Sequence, residues 1–335
     1  MKWICHRLGV CLALMLVVLP AAAAPCAAPP PAPRDVEGLG YYSDAASSVI
    51  DPALKQHSEA MAAPFNTFQR QVARMTDQAL ADHDTEAGRC AIAWIAAWAR
   101  GGAMLGEMRH INNDQADYTR QWTLGAVAVA YAKVRRLAAP AEAAVIDPWL
   151  IKLGQASLHY WDNPKHKRNN HYYWTGLGLM GVAVATGDPD TLAQATTIYQ
   201  AAIGDIEDDG SLPMELARGV MAQHYHNFAL EPLVMMAELA RHLKLDWYGM
   251  QNHRLERLAD LVAAGFKDPS WFAARTGKPQ TPQRPNAETS WVGLYIHHAQ
   301  NPDIFADLLQ HSDSFDARLG GDTKVMAKSG VFDPD

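Results

Sequence analysis

The sequence predicts an all-α fold. From Pro52 onward, Ala, Leu, Met and Gln dominate, and apolar residues recur three and four positions apart, as on one face of a helix. Few segments alternate apolar and polar residues with period two, so we expect little β-sheet. Many helices joined by short links predict stacked antiparallel hairpins. Because no internal repeat is visible, an irregular helical toroid is favoured over a repeat solenoid.

Helix-breaking residues set the expected helix ends. The breakers are Gly101-Gly102, Asn112-Asn113-Asp114, Asp147-Pro148, Gly187-Asp188-Pro189, Asp209-Gly210, Asp268-Pro269 and the proline-rich stretch 278–285. The predicted helices are Pro52–Asp82, Thr85–Glu107, Tyr118–Leu137, Glu142–Tyr160, His171–Thr186, Pro189–Ile203, Met214–Leu230, Pro232–Lys244, Arg254–Gly265, Glu288–His298 and Pro302–Gln310.

Residues 1–24 predict a secretory signal peptide. Lys2 and Arg7 give a basic start, Leu8–Leu19 is a short apolar run, and Ala23 or Ala24 offers a small residue for cleavage. The apolar run is shorter than the roughly 20 residues of a membrane-spanning helix. No other segment of the sequence has the apolar length to span a membrane. We therefore expect a periplasmic protein without a membrane anchor.

The composition bounds the class of protein. The 335 residues are 49% hydrophobic and 19% charged, which is ample for a large core. The formal net charge of -7 argues against nucleic-acid binding, but it leaves an anionic substrate open because local clusters of charge matter more. We expect a monomer with one domain over 52–335, preceded by an arm and loop over 25–51.

Two cysteines, Cys26 and Cys90, remain once the signal peptide is removed. In an oxidising compartment they predict one disulfide, with two unrelated thiols as the alternative. Residues 27–34 are rich in Pro and Ala and predict an extended arm. The polar, aromatic stretch Leu39–Asp44 follows as a loop. A disulfide would hold this loop near the body, where it could cover a site; a disordered N-terminus is the alternative.

The stretch Asn169–Trp174 concentrates groups that suit an acidic sugar. It contains two amides, an imidazole and three aromatic rings, and a basic run, Lys165–Arg168, precedes it. On a helix, Asn170 and Trp174 share a face, with His171 beside them. The pattern indicates a binding site at the start of a helix.

A second informative stretch runs from Asp208 to Phe228. Asp209-Gly210 signals a turn, and the residues after it predict the start of a helix. Arg218 and Tyr225 are seven positions apart, which on a helix is two turns and about 10 Å of rise along one face. We expect the arginine side chain to lean toward the phenol.

These stretches resemble the alginate lyases of polysaccharide lyase family five. Asn169–Trp174 looks like that family's signature, and the second stretch looks like its second motif, with agreeing spacings. Further matches are Tyr118 with Trp122, Cys90–Leu105 and Phe315–Gly321. The similarity covers most of the chain after the signal peptide. It implies an incomplete (α/α) toroid with a groove for an anionic polysaccharide, and β-elimination of a 1,4-glycosidic bond next to a uronate.

The resemblance also implies roles for single residues. Asn170 and His171 would neutralise the substrate carboxylate and stabilise the charge that builds there. Tyr225 would act as acid and base, and Arg218 would lower the pKa of its phenol, which is near 10 when free. The residues implied to bind substrate are Tyr42, Tyr118, Trp122, Trp174, His224 and Arg318. This chemistry requires no metal and no cofactor.

Three alternatives stay open. His224 and His226 flank Tyr225, and His-x-His suggests zinc, although residues two apart on a helix point away from each other. An (α/α) glycoside hydrolase could use Asp209 and Glu215 as its two carboxylic acids. A non-catalytic polyuronate-binding protein could retain the groove without the chemistry.

The sequence departs from the family at two positions. Family members often carry a lysine near the position of Tyr41 and Tyr42, and here the nearest lysine is Lys55. Some members have a second basic residue after the matching arginine, where this chain has Gly219. Both positions concern contacts to substrate, so the preferred polymer stays open between mannuronate and other polyuronates such as glucuronan or hyaluronan.

Overall fold

The computed structural model describes residues 26–334, and the predicted signal peptide lies outside the described residues. The α-helices are α1 (Pro52–Ala81), α2 (Thr85–Gly101), α3 (Gln115–Val134), α4 (Pro140–His159), α5 (Asn170–Thr186), α6 (Pro189–Gly204), α7 (Pro213–Leu216), α8 (Ala222–His242), α9 (Met250–Lys267), α10 (Ser270–Thr276), α11 (Val292–Tyr295), α12 (Ala306–His311) and α13 (Thr323–Ser329). The strands are β1 (Val36–Leu39), β2 (Met108–Ile111), β3 (Phe315–Asp316) and β4 (Gly321–Asp322).

The helices form two layers. The inner helices α1, α3, α5 and α8 pack side by side in that order, and α2, α4, α6 and α9 lie against their outer side. Helices α3 and α5 are buried on nearly every face, whereas α2 keeps one face exposed. On the remaining side, α11 and α13 connect α8 back to α1. The predicted all-α class is confirmed, and the helices pack as successive hairpins around a ring.

Local capping chemistry sets several helix ends. Asp51 begins α1 by accepting hydrogen bonds from the N–H groups of Ala53 and Leu54 at 2.9 and 3.0 Å. Helix α2 ends at Gly101 because Gly102 adopts a left-handed conformation, with φ of 63°. The prediction that this helix reaches Glu107 is therefore wrong, and the residues that follow contribute β2 instead.

Two prolines named at predicted helix breaks lie inside helices, although the predicted helix Glu142–Tyr160 already ran through Pro148. Helix α4 runs through Pro148 and α8 runs through Pro232, so Asp147-Pro148 is not a helix boundary and the predicted break before Pro232 is wrong. Residues 225–240 of α8 are all buried. Packing on every side outweighs the backbone hydrogen bond that a proline removes.

The N-terminal arm is fixed to the helical body. The indole Nε1 of Trp94 donates to the Ala27 carbonyl at 2.7 Å, and that of Trp98 donates to the Pro30 carbonyl at 3.0 Å. Cys26 is bonded to Cys90, as predicted, with their Cα atoms 5.4 Å apart and a sequence separation of 64. Closing a loop of this length stabilises a fold by roughly 2–4 kcal/mol. The arm is ordered and extended, and the alternative of a disordered N-terminus is wrong.

Short elements complete the chain. Strands β1 and β2 pair in parallel, with Val36 opposite Met108, and this pairing was not predicted. The predicted helices Glu288–His298 and Pro302–Gln310 are replaced by single turns and the short α11 and α12, and the short α10 and α13 were not predicted. Within residues 26–334, no helix combines the length and the apolar composition needed to cross a bilayer.

Candidate active site

A cleft of about 650 Å³ opens at the end of the ring where the inner helices begin. The first turns of α3, α5 and α8 contribute side chains to it, together with α1, the loop 40–50 and the turn between β3 and β4. The predicted site residues that line it are Tyr42, Tyr118, Trp122, His171, Arg218, His224, Tyr225 and Arg318. Residues from five separate parts of the sequence therefore converge on one cleft.

His171 is held at the mouth of α5. Asn169 caps the helix by accepting a hydrogen bond from the His171 N–H at 3.1 Å. The imidazole stacks on the Tyr118 ring, with centroids 3.5 Å apart and planes 8° from parallel. Burial, and then the positive charge of Arg218, lower the pKa of His171 to about 3. The imidazole is therefore neutral, and its Nδ1 has no hydrogen-bond partner among the described residues.

Asn170 lies beneath the cleft. Its backbone N–H and its Nδ2 both donate to Glu215 Oε1, at 2.9 and 3.0 Å. Asn170 is 0% exposed and is not among the lining residues, so the prediction that its amide faces a substrate is corrected. The reason is Glu215, which is itself buried and accepts both donors. Burial raises the pKa of Glu215, while the bonds from Asn170 and the charge of Arg218 oppose that rise.

Arg218 reaches Tyr225 by a different route from the one predicted. It lies in the turn between α7 and α8, before the helix that carries Tyr225, so the two residues do not share a helix face. Its guanidinium carbon nevertheless sits 3.3 Å from the centroid of the Tyr225 ring. Such a stack is a cation–π contact. The left-handed conformation of Gly219, with φ of 59°, allows the chain to turn directly after the arginine.

Two effects oppose each other at the Tyr225 hydroxyl. Burial raises the pKa of Tyr225 above its ordinary value, and the Arg218 charge lowers it. Burial is the larger effect, so the phenol is protonated at neutral pH. The expectation that Arg218 favours the phenolate has the correct sign, but in this structure burial outweighs it.

The loop 40–50 covers Tyr225. The Tyr42 and Tyr225 hydroxyls share a hydrogen bond, and Arg218 donates to the Ser47 carbonyl at 2.7 Å. Asp44 stiffens the loop by accepting from the Ser48 and Val49 N–H groups, each at 2.7 Å. The loop was expected to lie near a site, and the structure places it on the site. The contact through Ser47 was missed because a backbone carbonyl leaves no signal in the sequence.

Arg318 faces the cleft from the turn between β3 and β4. Its guanidinium lies 5.2 Å from the centroid of a Trp122 ring and 5.6 Å from that of Phe228. Glu288 pairs with Arg318 at 3.7 Å and with His224 at 3.6 Å. Burial lowers the pKa of His224, so this histidine is mainly neutral. Glu288 is a site residue that sequence reasoning missed.

Comparison with known proteins decides the family. The profile of the alginate lyase family matches residues 35–272, a span that includes His171, Arg218 and Tyr225. This chain belongs to the alginate lyase family. A polysaccharide lyase from Stenotrophomonas maltophilia (strain K279a) is 49% identical over 323 residues, which cover 96% of each chain. An alginate lyase from Pseudomonas putida (strain KT2440) is 32% identical over 323 residues, covering 92% of this chain and 84% of the relative.

Solved structures of the family share the fold. Alginate lyase A1-III from Sphingomonas species A1 matches with a TM-score of 0.75 at 22% identity, over 90% of this chain and 85% of the other. A variant of alginate lyase A1-III complexed with a tetrasaccharide matches with a TM-score of 0.77 over the same shares. The predicted (α/α) toroid is confirmed, and family membership makes this chain a polysaccharide lyase.

One predicted substrate contact of this alginate lyase family member is wrong. Trp174 is 0% exposed and does not line the cleft. Its ring packs 5.1 Å from that of Phe228, in the core behind the cleft. The helix face that Trp174 shares with Asn170 points inward, because α5, which begins at Asn170, is buried on nearly every side.

The residues on which the zinc and hydrolase alternatives depend are engaged in other contacts. His226 Nε2 accepts from the Leu212 N–H at 2.9 Å, and its Nδ1 bonds the Ala222 carbonyl at 2.7 Å, so neither nitrogen is available to a metal. Burial lowers the pKa of His226 to about 4. Of the two proposed hydrolase carboxyls, Glu215 is buried against Asn170. Asp209 bonds Ser211 and Arg275, and neither carboxyl lines the cleft.

A larger cavity lies at the opposite end of the ring. It measures about 980 Å³, and the last turns of α1, α3, α5 and α8 line it. None of the predicted site residues of this alginate lyase family member faces it. We therefore choose the smaller cleft as the candidate site, because His171, Arg218, Tyr225 and Arg318 line it.

Proposed function

We propose that this polysaccharide lyase cleaves alginate, acting on poly-β-D-mannuronate and also on other 1,4-linked polyuronates. The reaction is β-elimination, which leaves an unsaturated 4-deoxy uronate at the new non-reducing end. The supporting observation is that the Tyr225 hydroxyl, the neutral imidazole of His171 and two arginines line one cleft. The arginines suit carboxylates on the polymer, and the phenol suits proton transfer.

The proposed steps conserve protons and electrons. The Tyr225 phenolate takes the proton from C5 of the uronate, and the electron pair of that C–H bond forms the C4–C5 double bond. The bond from C4 to the glycosidic oxygen breaks, and the phenol returns its proton to that oxygen. In mannuronate the C5 proton and the C4 oxygen lie on one side of the ring, so one tyrosine serves both steps.

Charge stabilisation is assigned to the α5 side of the cleft. His171 lines the cleft with a neutral imidazole, which can donate a hydrogen bond to the substrate carboxylate as negative charge builds on it. Asn170 and Glu215 support it from beneath. Tyr118, Trp122, His224 and Arg318 are proposed to bind the sugars. Tyr42 is the group that a substrate has to displace from the Tyr225 hydroxyl.

The pH dependence follows from the pKa of Tyr225. Because burial raises this pKa, the phenolate is a minor species at neutral pH. Raising the pH increases the phenolate fraction, so we expect kcat/KM to rise from neutral into alkaline pH. The rate is measured as near-ultraviolet absorbance of the unsaturated product, on a panel of polyuronates at several pH values. A rate that falls through this range would contradict Tyr225 as the base.

Replacement of the phenol tests the assignment directly. We expect Tyr225→Phe to lower turnover roughly 10²- to 10⁴-fold, the usual contribution of a general acid and base, while oligosaccharide binding persists. Tyr199→Phe is the matched control, because it removes a buried hydroxyl that bonds the Trp247 carbonyl away from the cleft. Normal turnover in Tyr225→Phe would remove this residue from its role. Polymer binding without any product absorbance from the natural protein would favour a binding protein instead.

The proposed location is the periplasm. The predicted signal peptide and the Cys26–Cys90 bond both suit an exported protein. Clearing or trimming an alginate-like polymer there is the biological role that the chemistry supports.

A further inference from the structure

Glu288 is an acid in a cleft that is proposed to receive a polyanion. Among the described residues, the acids that line this cleft are Glu59 and Glu288. The side chain of Glu59 is 65% exposed and pairs with Lys55 at 3.8 Å. The side chain of Glu288 is 29% exposed and lies between His224 and Arg318. Because a carboxylate repels the carboxylates of a polyuronate, Glu288 is expected to act on a different part of the substrate.

The backbone of Glu288 is fixed to the core. Its N–H donates to Asn286 Oδ1 at 2.7 Å, and its carbonyl accepts from Asn227 Nδ2 at 2.9 Å. The Asn227 side chain is buried in α8 and accepts from Trp291 Nε1 at 2.9 Å, so it is held in turn. These contacts use the backbone of Glu288 and leave its side chain to the cleft.

The carboxylate oxygens of Glu288 have room for further donors. Oε2 lies 3.6 Å from His224 Nδ1, and Oε1 lies 3.7 Å from Arg318 Nη1. Both distances exceed the roughly 2.7–3.2 Å of an N–H···O hydrogen bond. The hydrogen bonds that Glu288 forms within residues 26–334 are those of its backbone. A carboxylate accepts through both oxygens and donates nothing, so a ligand that bonds it has to present donors.

Hydroxyl groups are the donors that a polyuronate offers. In a 1,4-linked uronate, the ring hydroxyls at C2 and C3 are free and adjacent, so the pair can donate to both oxygens of one carboxylate. The C2–C3 edge lies across the ring from the C5 carboxylate. Consecutive sugars of a β-1,4-linked chain face alternate sides, so the carboxylate of one sugar lies on the same side as the hydroxyls of the next. Arg318 suits the carboxylate, and Glu288 beside it suits the hydroxyls.

We propose that Glu288 determines substrate specificity by accepting hydrogen bonds from the C2 and C3 hydroxyls of a uronate. It selects polymers in which those hydroxyls are free and discriminates against polymers in which they are substituted. The proposal rests on the proposed function for the identity of the sugar. The opposing account is that Glu288 only neutralises Arg318. Removal of a hydroxyl acceptor weakens substrate binding, whereas removal of a competing acid strengthens the attraction of Arg318 for a uronate.

Substitution of Glu288 separates the two accounts by the sign of the effect. We expect Glu288→Ala to raise KM for polymannuronate roughly 10- to 100-fold, with kcat within about threefold. Glu288→Gln keeps the shape and one acceptor oxygen, so KM should rise by less. Glu59→Ala is the matched control, because it removes the other acid of the cleft, and KM should stay within about twofold. An unchanged or lower KM in Glu288→Ala overturns the proposal, as does equal damage from Gln and Ala.

Blocked hydroxyls test which atoms of the sugar are recognised. Polymannuronate methylated at the C2 and C3 hydroxyls lacks both donors, so the natural protein should cleave it with kcat/KM roughly 100-fold below that of the unmodified polymer. In Glu288→Ala this ratio should shrink to about tenfold or less, because only the bulk of the methyl groups still matters. A ratio that is the same in both proteins overturns the proposal.

Titration calorimetry separates a failure of this proposal from a failure of the proposed function. It compares the Kd of the unmodified and the methylated mannuronate tetrasaccharide for Tyr225→Phe, with and without Glu288→Ala, so no turnover is needed. A preference for the unmodified sugar that requires Glu288 supports the proposal even if the natural protein cleaves no polyuronate. Cleavage together with a preference that does not require Glu288 contradicts this proposal alone.

Discussion

The two walls of the cleft are held in different ways. On the α5 wall, His171 is stacked on Tyr118, and the residue before it is tied to buried Glu215. On the α8 wall, Tyr225 and Arg218 are held by the loop 40–50, through the Tyr42 hydroxyl and the Ser47 carbonyl. The α5 contacts come from the helical body, whereas the α8 contacts come from a covering segment far away in sequence.

The difference decides what a substrate has to replace. The partners of the α5 wall are buried in the body, so this wall is already organised for a carboxylate. On the α8 wall, the groups proposed for proton transfer are occupied by protein partners. A polymer that reaches Tyr225 must displace the Tyr42 hydroxyl. The free energy of binding is reduced by the loss of that hydrogen bond.

Among the changes that test how each wall is held, the largest effect is expected from the cation of the α8 wall. Arg218→Ala removes the charge that lowers the pKa of Tyr225, so we expect kcat/KM to fall roughly 100-fold near neutral pH. The rise of the pH–rate profile should also move to higher pH. Arg275→Ala is the control, since it removes an exposed arginine whose partner is Asp209. An unchanged pH–rate profile in Arg218→Ala would mean that the arginine only holds the loop 40–50 in place.

An intermediate effect is expected from the α5 wall. Glu215→Ala leaves two buried N–H donors of Asn170 without an acceptor, at a cost of roughly 1–3 kcal/mol in the free energy of unfolding. We expect kcat/KM to fall about tenfold as His171 loses its support. Glu215→Gln should restore both values, because both donors bond the single oxygen Oε1. Thermal unfolding and the absorbance assay measure the pair, and failure of rescue by Gln would contradict this account.

The smallest effect tests whether the loop competes with substrate. Tyr42→Phe removes the hydroxyl that bonds Tyr225, so we expect KM to fall about 2- to 5-fold. Tyr41→Phe is the control within the same loop. A higher KM in Tyr42→Phe would show that this hydroxyl contacts the substrate and is not only a competitor.

Regular features of the fold were predictable from the sequence. Apolar spacing predicted α1 and α6 nearly to their ends, because a long amphipathic or buried helix repeats its signal many times. Packing was not predictable in the same way. The passage of α8 through Pro232 depends on burial along the whole helix, which no local rule detects.

The site was partly predictable. The family resemblance selected His171, Arg218 and Tyr225, and all three line one cleft. The helix that was expected to carry Arg218 ends before it. Trp174 and Asn170 were misplaced because the sequence does not tell which face of α5 is inward.

The bond between Cys26 and Cys90 makes the cover of the cleft sensitive to redox conditions. Thiols stay reduced in the cytosol. Without the disulfide, the arm keeps its indole hydrogen bonds to α2, the bond from the Met104 N–H to the Pro33 carbonyl and the β1–β2 pairing. With the export proposed above, the segment that carries Tyr42 would gain its covalent anchor only in the oxidising compartment, and oxidation would be a maturation step.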